Sequence, residues 1–288
     1  MSETSTQSPE PGVLYVVATP IGHLDDISRR AVAVLGGVGT IAAEDTRRTL
    51  SLLSALGLPR PRMVALHEHN EADAVDRVLD DLTAGTAVAL VSDAGTPLLS
   101  DPGFVLVRRC FDAGIPVRPV PGPSAVSAAL SVCPLPTTGC RFVGFLPARA
   151  GVKRTRLAEL LTAADPVVFF EAPHRLRETL ITLGELAPAR RLFIAREMTK
   201  RFETYLAGTP ADLVAHMDRA DQWRGEIVCV LEGGTTPAAA EREQARVMGI
   251  LASELPPAQA ARLGAQILGV RKSVLYGLAS KRDKDGQA

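Results

Sequence analysis

The stretch TAVALVSDAGTPLLSDPG, residues 86–103, decides the fold. The run AVALV is wholly apolar, which is typical of a strand buried on both faces of a sheet. The part that follows, SDAGTPLLSDPG (92–103), combines glycines and prolines with Ser, Thr and Asp side chains. A loop of this composition either turns a corner or binds a ligand. The predicted strands and helices around the loop indicate which of these two roles applies.

Four more strands are predicted in the first half of the chain, and helical periodicity follows each of them. The strands are predicted at 13–18, 40–43, 63–66 and 116–120. Five strands joined by helices predict a mostly parallel sheet with both faces covered. Ligands of such sheets bind beyond the carboxyl ends of the strands. The loop 92–103 leaves one of those ends, and so do TPIGHL, EDTR, HEHNE and PGPS.

Polar residues ahead of these helices predict their N-caps. Asp26 is predicted to cap the first helix, and Asp45 or Thr46 the second. Asn70 is the predicted cap of the third helix. Asp101 is the predicted cap of a fourth helix, with Pro102 as its first residue.

A second α/β region begins after CPLPTT (133–138), which interrupts the alternation. Its predicted strands are RFVGFL, VVFFEA, LFIARE, ETYLAG and EIVCVLEG. GGTTPAAA then has the composition of a flexible linker. These observations predict a disordered tail at 1–12, an α/β domain at 13–133, a second at 134–233 and a helical tail at 241–282.

The charge balance excludes a global attraction for nucleic acid, because 32 Lys and Arg match 32 Asp and Glu. The charges are nevertheless uneven. Residues 1–140 carry 15 acidic and ten basic side chains, whereas residues 141–206 carry seven acidic and 12 basic ones. A polyanion is therefore expected to meet the second region, or a cleft between the two.

The four cysteines have no C-x-x-C spacing, which argues against a zinc site or a disulfide framework and fits a reducing cytoplasm. The polar start MSETSTQSPEPG predicts no signal peptide. A membrane span needs roughly 18 or more apolar residues in a row, and the sequence contains no such run. A cytoplasmic protein without membrane attachment is the expectation.

Several ligand motifs are missing from the loops. The chain has no G-x-x-x-x-G-K-[ST] phosphate loop, no G-x-G-x-x-G after the first strand and no G-x-S-x-G nucleophile elbow. The remaining candidate is a pocket of backbone groups and small hydroxyls, with Asp93 as a negative charge and Ser124 at a helix start. A ligand with an ammonium, a carboxylate and an apolar body suits it, and S-adenosylmethionine is one. Plain turn chemistry is the alternative for each loop.

Longer motifs connect the chain to a known family. YVVATPIGHLDDISRRA, AAEDTRRT, LHEHNE, ALVSDAGTPLLSDPG, PVPGPSA, FEAPHR, AREMTKRFE and GEIVCVLEG resemble the tetrapyrrole-methylase superfamily. The resemblance runs from about Leu14 to Glu232. TPIG, EDTR, H-x-H-N-E, P-H-R and E-x-T-K are similar to the branch that methylates the 2′-oxygen of a cytidine in 16S ribosomal RNA.

The resemblance implies a homodimer of two-domain α/β subunits, with S-adenosylmethionine in the cleft between domains. The implied partner is 16S ribosomal RNA in the 30S subunit. No metal is expected, because the chemistry needs none and no third ligand is evident beside His67 and His69. The implied cofactor-binding residues are Pro20, Ile21, Gly22, Ser92, Asp93, Gly95, Thr96, Ser124, Ala125, Phe170, Glu171, Ala172, Met198, Gly225 and Glu226. The sequence departs from the family pattern at His23, where Asn is expected, and at Ala172, where Ser is frequent.

Methyl transfer to a ribose hydroxyl needs alignment and a group that takes the hydroxyl proton. Glu44 and Asp45 follow a predicted strand end, so they are candidate catalytic residues, although Asp45 also fits the role of a helix cap. His67 is a further candidate proton acceptor, whereas His69 is expected to make a structural hydrogen bond. Arg47 is predicted to meet either an RNA phosphate or a neighbouring carboxylate.

Basic residues near a predicted helix start form a candidate RNA-binding track, because cations there oppose the helix dipole and need another explanation. The candidates are Arg47, Arg149, Lys153, Arg154, Arg156, Arg175 and Lys200. Arg196 and Arg201 could extend the track, although Arg196 could instead pair with Glu171 or Glu197. The tail PAQAARLGAQILGVRKSVLYGLAS resembles a helix-turn-helix with few basic residues, which favours packing against the core or the ribosome over DNA reading.

Two other functions remain compatible with parts of the sequence. One is a methylase acting on a tetrapyrrole, against which the basic segment 149–156 and EDTR argue. The other is a non-catalytic RNA-binding assembly factor with a degenerate pocket, against which the intact SDAGTP and PGPS loops argue.

Overall fold

The computed structural model describes residues 8–67, 70–234, 237–272 and 274–275. The first sheet contains β1 (Leu14–Val17), β2 (Thr40–Ala43), β3 (Arg62–Ala65), β4 (Val88–Val91) and β5 (Val117–Val120). Its order is β3-β2-β4-β1-β5, and every neighbouring pair is parallel. The prediction of a parallel first sheet is therefore confirmed.

Five helices connect and follow these strands: α1 (Arg29–Gly37), α2 (Thr46–Ala55), α3 (Glu71–Thr83), α4 (Phe104–Asp112) and α5 (Ala125–Ser131). Alternate strand residues face opposite sides of the sheet. Ile41 and Val91 pack with α1 and α2 on one face, whereas Leu14 and Leu90 pack with α3 and α4 on the other. Burial on both faces explains why the central strands are apolar throughout.

The helix caps predicted around the first sheet have different outcomes. Asp45 caps α2 as predicted, since its Oδ1 accepts the N–H of Arg47 at 2.8 Å. The prediction for Asp26 was wrong. Asp26 ends a short 3-10 helix (Leu24–Asp26), and Ser28 caps α1 through the N–H of Ala31. Asn70 is the N-cap residue of α3 as predicted, but its side chain makes no capping bond: Oδ1 accepts the His67 N–H and Nδ2 donates to the Ala65 carbonyl across the preceding loop.

The cap predicted at Asp101 was also wrong. α4 begins two residues later than predicted, at Phe104, after Gly103 with φ +118°. A left-handed residue is favourable only for glycine, so the turn is set at Gly103. Asp101 is thereby left in the loop, and its side chain lines a cavity.

The second sheet contains β6 (Arg141–Phe145), β7 (Val167–Glu171), β8 (Leu192–Arg196), β9 (Thr204–Gly208) and β10 (Ile227–Leu231). Its order is β6-β7-β10-β8-β9. Only the β6–β7 pair is parallel, and the other three pairs are antiparallel. The helices of this region are α6 (Ala150–Leu161), α7 (Pro173–Leu186) and α8 (Pro210–Ala220). We call the parts built on the first and second sheets the first and second lobes.

Both lobes belong to one compact unit, which comprises the chain through Leu161 together with Asp165–Glu232. The second unit comprises Thr162–Ala164 and the chain from Gly233 onwards. It contains α9 (Pro237–Glu254) and α10 (Pro257–Leu268), so its first helix begins four residues before the predicted position 241. Met248, Ala260, Ala261 and Leu275 form its buried core.

Helix packing in the second unit depends on a small residue. A Cβ at Gly264 would lie 2.8 Å from Met248 Sδ, so glycine allows α9 and α10 to approach closely. Among the described helices of both units, none is long and apolar enough to cross a membrane. The predicted architecture of two α/β lobes and a helical tail is confirmed.

Candidate active site

A cavity of about 440 Å³ lies between the two lobes. The first lobe contributes residues that follow the carboxyl ends of β1, β2 and β4, which is the edge where the sequence predicts ligand binding. The lining residues are Ile21, Glu44, Arg48, Asp93, Ala94, Ser100, Asp101, Ala125, Phe145, Phe170, Glu171, Ala172, Pro173, Met198, Gly225, Glu226, Ile227 and Val228.

The first-lobe wall is acidic. Asp93 uses both carboxylate oxygens: Oδ1 accepts the N–H of Asp45 at 3.1 Å, and Oδ2 lies 3.1 Å from Arg48 Nη1. Glu44 Oε2 in turn accepts the N–H of Asp93 at 3.2 Å. Burial raises the pKa of Glu44, and the negative charge of Asp93 contributes to the rise. Arg48 partly offsets the concentration of negative charge.

Asp101 completes this wall from the loop 92–103. Burial raises its pKa to about 6, and the charges of Glu44 and Asp93 act in the same direction, whereas a hydrogen bond with the Ser92 side chain opposes the rise. Asp101 was not predicted as a site residue, because its position before a Pro also fits a helix cap. The sequence signal that could have identified Asp101 is its place in the same predicted ligand-binding loop as Asp93.

The second-lobe wall is mainly apolar and aromatic, although Glu171 and Glu226 also line it. Phe170 receives the edges of Phe142 and Phe145, with ring centroids 5.0 and 5.3 Å away. Met198 and Val228 continue this surface. Edge contacts of this kind fix the ring planes and leave other ring surface open to a ligand.

Glu171 is buried and fully engaged within its own lobe. Its Oε1 accepts the N–H of Ala172 at 2.9 Å and Nε of Arg175 at 2.8 Å, and its Oε2 accepts the hydroxyl of Thr179 at 2.7 Å. These bonds anchor the start of α7 to the end of β7. Arg175, predicted to contact RNA, therefore holds Glu171 in place.

Beside the packing of α5 against the second sheet, glycines let the lobes approach each other closely at two places next to the cavity. A Cβ at Gly22 would lie 2.6 Å from both Lys200 Cγ and Thr199 Oγ1, and the N–H of His23 donates to Thr199 Oγ1 at 3.1 Å. The second contact joins Gly144 to Ser100, where a Cβ would lie 2.8 Å from the serine Oγ. Glycine at positions 22 and 144 is needed for this approach.

Nine of the predicted cofactor-binding residues line the cavity: Ile21, Asp93, Ala125, Phe170, Glu171, Ala172, Met198, Gly225 and Glu226. The other six are not among the described residues that line the cavity: Pro20, Gly22, Ser92, Gly95, Thr96 and Ser124. Some of these shape the loops behind the wall. Gly95 exchanges two backbone hydrogen bonds with Thr19, and Thr96 Oγ1 donates to the Pro123 carbonyl at 2.9 Å.

The structure separates the predicted catalytic residues. Glu44 lines the cavity, whereas Asp45 caps α2 and pairs with Arg47, whose side chain holds the pKa of Asp45 down at about 2. His67 follows β3 and donates its N–H to Asn70, and it is not among the cavity residues of the described chain. His69 lies outside the described residues.

The predicted RNA-binding track is only partly at the surface. Lys153 is completely buried, and its Nζ lies 2.6 Å from Glu178 Oε2, so its assignment to an RNA-facing surface was wrong. Arg154 pairs with Glu185, and Arg156 pairs with Glu159 at 2.9 Å. Arg149 is exposed.

Two further cations of the proposed track stabilise the second lobe. Lys200 Nζ lies 3.0 Å from carboxylate oxygens of both Glu197 and Glu226. Arg196 is buried and donates to the backbone carbonyls of Arg224 and Phe202 at 2.6 and 3.1 Å. The suggested pairing of Arg196 with Glu171 is not formed, since Arg175 occupies that position.

Comparisons with known proteins agree with this geometry. Residues 13–214 match the family model "Tetrapyrrole (Corrin/Porphyrin) Methylases", and residues 238–282 match "RsmI C-terminal HTH domain". The chain is 47% identical over 270 residues to the ribosomal RNA small subunit methyltransferase I of Xylella fastidiosa (strain Temecula1 / ATCC 700964), covering 93% of this chain and 98% of that one.

Solved structures share the fold at low identity. A cobalt precorrin-4 methyltransferase superposes with a TM-score of 0.57 and 16% identity, covering 77% of this chain and 95% of that one. A uroporphyrin-III C-methyltransferase from Thermus thermophilus, complexed with S-adenyl homocysteine, gives a TM-score of 0.52 and 17% identity, covering 76% of this chain and 96% of that one. The two-lobed fold, the family match over residues 13–214 and the similarity to the Xylella protein over nearly the full length agree with one another. The chain belongs to the tetrapyrrole methylases, and among them to the ribosomal RNA small subunit methyltransferase I family.

Proposed function

We propose that this methyltransferase transfers the methyl group of S-adenosylmethionine to the 2′-oxygen of a cytidine ribose in 16S ribosomal RNA. The observation that carries the proposal is the full-length similarity to proteins named for methylation of small-subunit ribosomal RNA. The same chain has an interlobe cavity with a separate acidic wall and apolar wall.

The residues of the cavity fit S-adenosylmethionine. Its ammonium and sulfonium groups are cationic, and the first-lobe wall carries the carboxylates of Glu44 and Asp93 against the single cation Arg48. Its adenine needs an apolar slot with backbone hydrogen-bonding groups, and Phe170, Met198 and the segment 225–228 supply both. The cavity volume of about 440 Å³ is within the usual range for small-molecule sites. A uroporphyrin-III C-methyltransferase of the same fold was solved with S-adenyl homocysteine.

When bound, S-adenosylmethionine supplies a methyl group that is already activated on sulfur, so the protein's contribution is positioning and proton transfer. The lobe contact at Gly22 and Thr199 would restrict water access to the cavity. The carboxylates of the first-lobe wall supply candidate proton acceptors. Asp45 is unsuited to that role, because Arg47 and the helix start hold its carboxylate.

The partner proposed for the cavity's outer face is the 16S ribosomal RNA of the 30S subunit. The excess of basic over acidic side chains in residues 141–206 supports it, and exposed Arg149 is the first candidate for a phosphate contact. We further propose, from the family pattern, a homodimer that works in the cytoplasm.

Labelled methyl transfer tests the proposed function. The purified protein is incubated with tritiated S-adenosylmethionine and 30S subunits from cells that lack it, and the ribosomal RNA is digested to nucleosides. Label in a 2′-O-methylated cytidine is the expected result. Label only in an added porphyrin-type acceptor would identify a small-molecule methylase instead. Absence of cofactor binding by calorimetry would point to a non-catalytic RNA-binding protein.

A further inference from the structure

One rim of the cavity carries residues that the cofactor assignment does not use. The lobes touch there through Gly144 and Ser100, and the next residues along each chain segment, Phe145 and Asp101, both line the cavity. Gly144 has φ +69°, and the β6–β7 register shifts between Phe142 and Phe145. The irregular strand therefore contributes an aromatic ring to the cavity, and the loop 92–103 contributes the Asp101 carboxylate next to the same interlobe contact.

Three of the predicted cofactor-binding residues, Ile21, Gly22 and Met198, lie at a different interlobe contact. Gly22 meets the segment 198–200, and its neighbours Ile21 and Met198 line the cavity together. Each contact is adjacent in sequence to residues that line the cavity, namely Ile21 and Met198 at the first and Asp101 and Phe145 at the second. With the donor assigned to the side of Ile21 and Met198, the side of Asp101 and Phe145 is left for the acceptor nucleoside.

Among the three carboxylates of the first-lobe wall, Asp101 differs from the other two because no described backbone N–H or cation holds it. Asp93 is held by the Asp45 N–H and by Arg48, and Glu44 accepts the Asp93 N–H. Asp101 is bonded by the Ser92 side chain, and its raised pKa of about 6 makes it a stronger proton acceptor than an ordinary Asp while it stays ionised at neutral pH.

The other charged groups of the cavity wall are accounted for. Arg48 faces Asp93, and Glu44 and Asp93 are the negative charges that act on Asp101. On the second lobe, Glu171 is held by Arg175, and Glu226 pairs with Lys200. Asp101 therefore has no basic partner among the described residues of the cavity wall, and its carboxylate is available to accept a proton.

Phe145 is 57% exposed even though it lines the cavity. Its ring is fixed by Phe170, with an interplanar angle of 62°. Proteins that recognise single RNA bases commonly stack the splayed base on an aromatic side chain, since every base presents a π face. A fixed and half-open ring on the cavity rim is suited to that contact.

We propose that Asp101 and Phe145 form the acceptor subsite, in which Phe145 stacks on the splayed cytosine and Asp101 accepts the proton of the ribose 2′-hydroxyl. This inference rests on the proposed function and assigns residues to its acceptor side. A bond forms between the 2′-oxygen and the methyl carbon, the carbon–sulfur bond breaks with its electron pair left on sulfur, and the hydroxyl proton passes to Asp101. Charge balances, because one sulfonium cation and one carboxylate are both neutralised.

The first experiment measures methylation of 30S subunits by Asp101→Asn, which keeps the shape of the side chain. We expect kcat to fall by about 100-fold or more, as loss of a general base predicts. We expect cofactor affinity measured by calorimetry to change less than threefold. In the wild type, kcat should rise with pH through an acid limb near 6, and this limb should vanish in the variant.

The second experiment substitutes Phe145 by Ala and by Trp. Phe145→Ala should raise KM for 30S subunits about tenfold with little change in kcat, because a lost base stack weakens binding by about that factor. Phe145→Trp keeps an aromatic ring and should therefore keep KM near the wild-type value. Phe111→Ala is the matched control, since Phe111 is 70% exposed on α4 and is not a cavity residue. It should leave both constants unchanged.

The outcomes separate this inference from the proposed function. An active wild type with Asp101→Asn within threefold of its kcat, or with Phe145→Ala at unchanged KM, overturns the acceptor subsite and leaves the methyltransferase assignment intact. A wild type that binds no cofactor or leaves 30S subunits unmethylated overturns both.

Discussion

Arg48 and Asp93 form an ion pair across the cavity's first-lobe wall, with 3.1 Å between Nη1 and Oδ2. The pair joins α2 to the loop after β4, two elements separated by more than 40 residues in sequence. The Arg48 guanidinium lowers the pKa of Glu44 against the effects of burial and of the Asp93 charge. Arg48 therefore helps to keep Glu44 ionised.

Replacing Arg48 by Met should move the acid limb of the pH–activity curve to higher pH. Without the guanidinium, the remaining carboxylates repel each other more strongly, so protonation begins at higher pH. The measurement is kcat/KM against pH at constant ionic strength. Arg47→Met is the control, because Arg47 pairs with Asp45 outside the cavity wall and should leave the limb in place. Superimposable curves for Arg48→Met and wild type would contradict the role given to Arg48.

Gly22→Ala should weaken cofactor binding by about tenfold or more and destabilise the fold by about 1–3 kcal/mol. The new methyl would lie 2.6 Å from Thr199 Oγ1 and 3.0 Å from the Met198 carbonyl, so the lobes would have to shift. Calorimetry and urea unfolding measure the two effects. Gly151→Ala in α6 is the control, since its Cβ would meet nothing within 4 Å and alanine favours the helix. Equal behaviour of the two variants would argue against a tight interlobe contact.

Asp101→Asn should stabilise the protein at neutral pH although it impairs activity. Burial raises the pKa of Asp101 to about 6 in the folded state, well above the ordinary value of an aspartate. Stability is therefore lost as pH rises from about 4 through 6, because the folded state holds a proton that the unfolded chain releases. The neutral variant avoids this loss, and its Tm should exceed the wild-type value by about 2 °C or more at pH 7.5.

The pH dependence provides the check on that stability prediction. The Tm difference should shrink towards pH 5, where the folded wild type carries the proton. Asp93→Asn should behave oppositely and lower Tm at pH 7.5, since it breaks the ion pair with Arg48. A Tm gain for Asp101→Asn that is independent of pH would refute the assigned cause.

The buried Lys153 should tolerate loss of its charge better than loss of its partner. Lys153→Met replaces an ammonium by apolar atoms of similar length and should change unfolding free energy by less than about 1 kcal/mol. Glu178→Gln leaves the buried ammonium without its carboxylate and should destabilise by about 1–3 kcal/mol, a range reduced for the half-exposed Glu178. Urea unfolding of both variants is the test. A larger loss for Lys153→Met would reverse this interpretation.

Arg149→Ala should weaken 30S binding and reduce the slope of log affinity against log salt by about one. Arg149 is exposed at the start of the basic segment, where a phosphate contact releases a counterion on binding. Arg108→Ala on α4 is the control, because Arg108 is exposed on the acidic first lobe and pairs weakly with Asp112. The slope of log affinity against log salt should be lower for Arg149→Ala than for Arg108→Ala. Identical slopes for the two variants would show that Arg149 makes no phosphate contact.

The predicted strands illustrate what local pattern can establish. β2 occupies the predicted residues 40–43, and the runs at 87–91 and 167–172 differ from β4 and β7 by one residue each. Apolar runs bounded by Gly and Pro leave few alternatives for a strand buried on both faces. The binding edge followed from the same pattern, because parallel strands end together.

Asp101 and Lys153 illustrate what that pattern cannot decide. Local rules placed Asp101 at a helix cap and Lys153 at a surface, since a Pro followed the first and basic residues surrounded the second. The environment of Asp101 comes from Glu44 and Asp93 on two other segments, and that of Lys153 from Glu178 on α7.

The sequence by itself determined the strands, the parallel first sheet, the loops at its binding edge and the family. Only the tertiary structure decided which loop side chains face the cavity, which carboxylate has a raised pKa and which cations are buried. The physical reason is range. Strand and turn preferences act between residues a few positions apart, whereas burial and charge coupling depend on groups that folding brings together from distant segments.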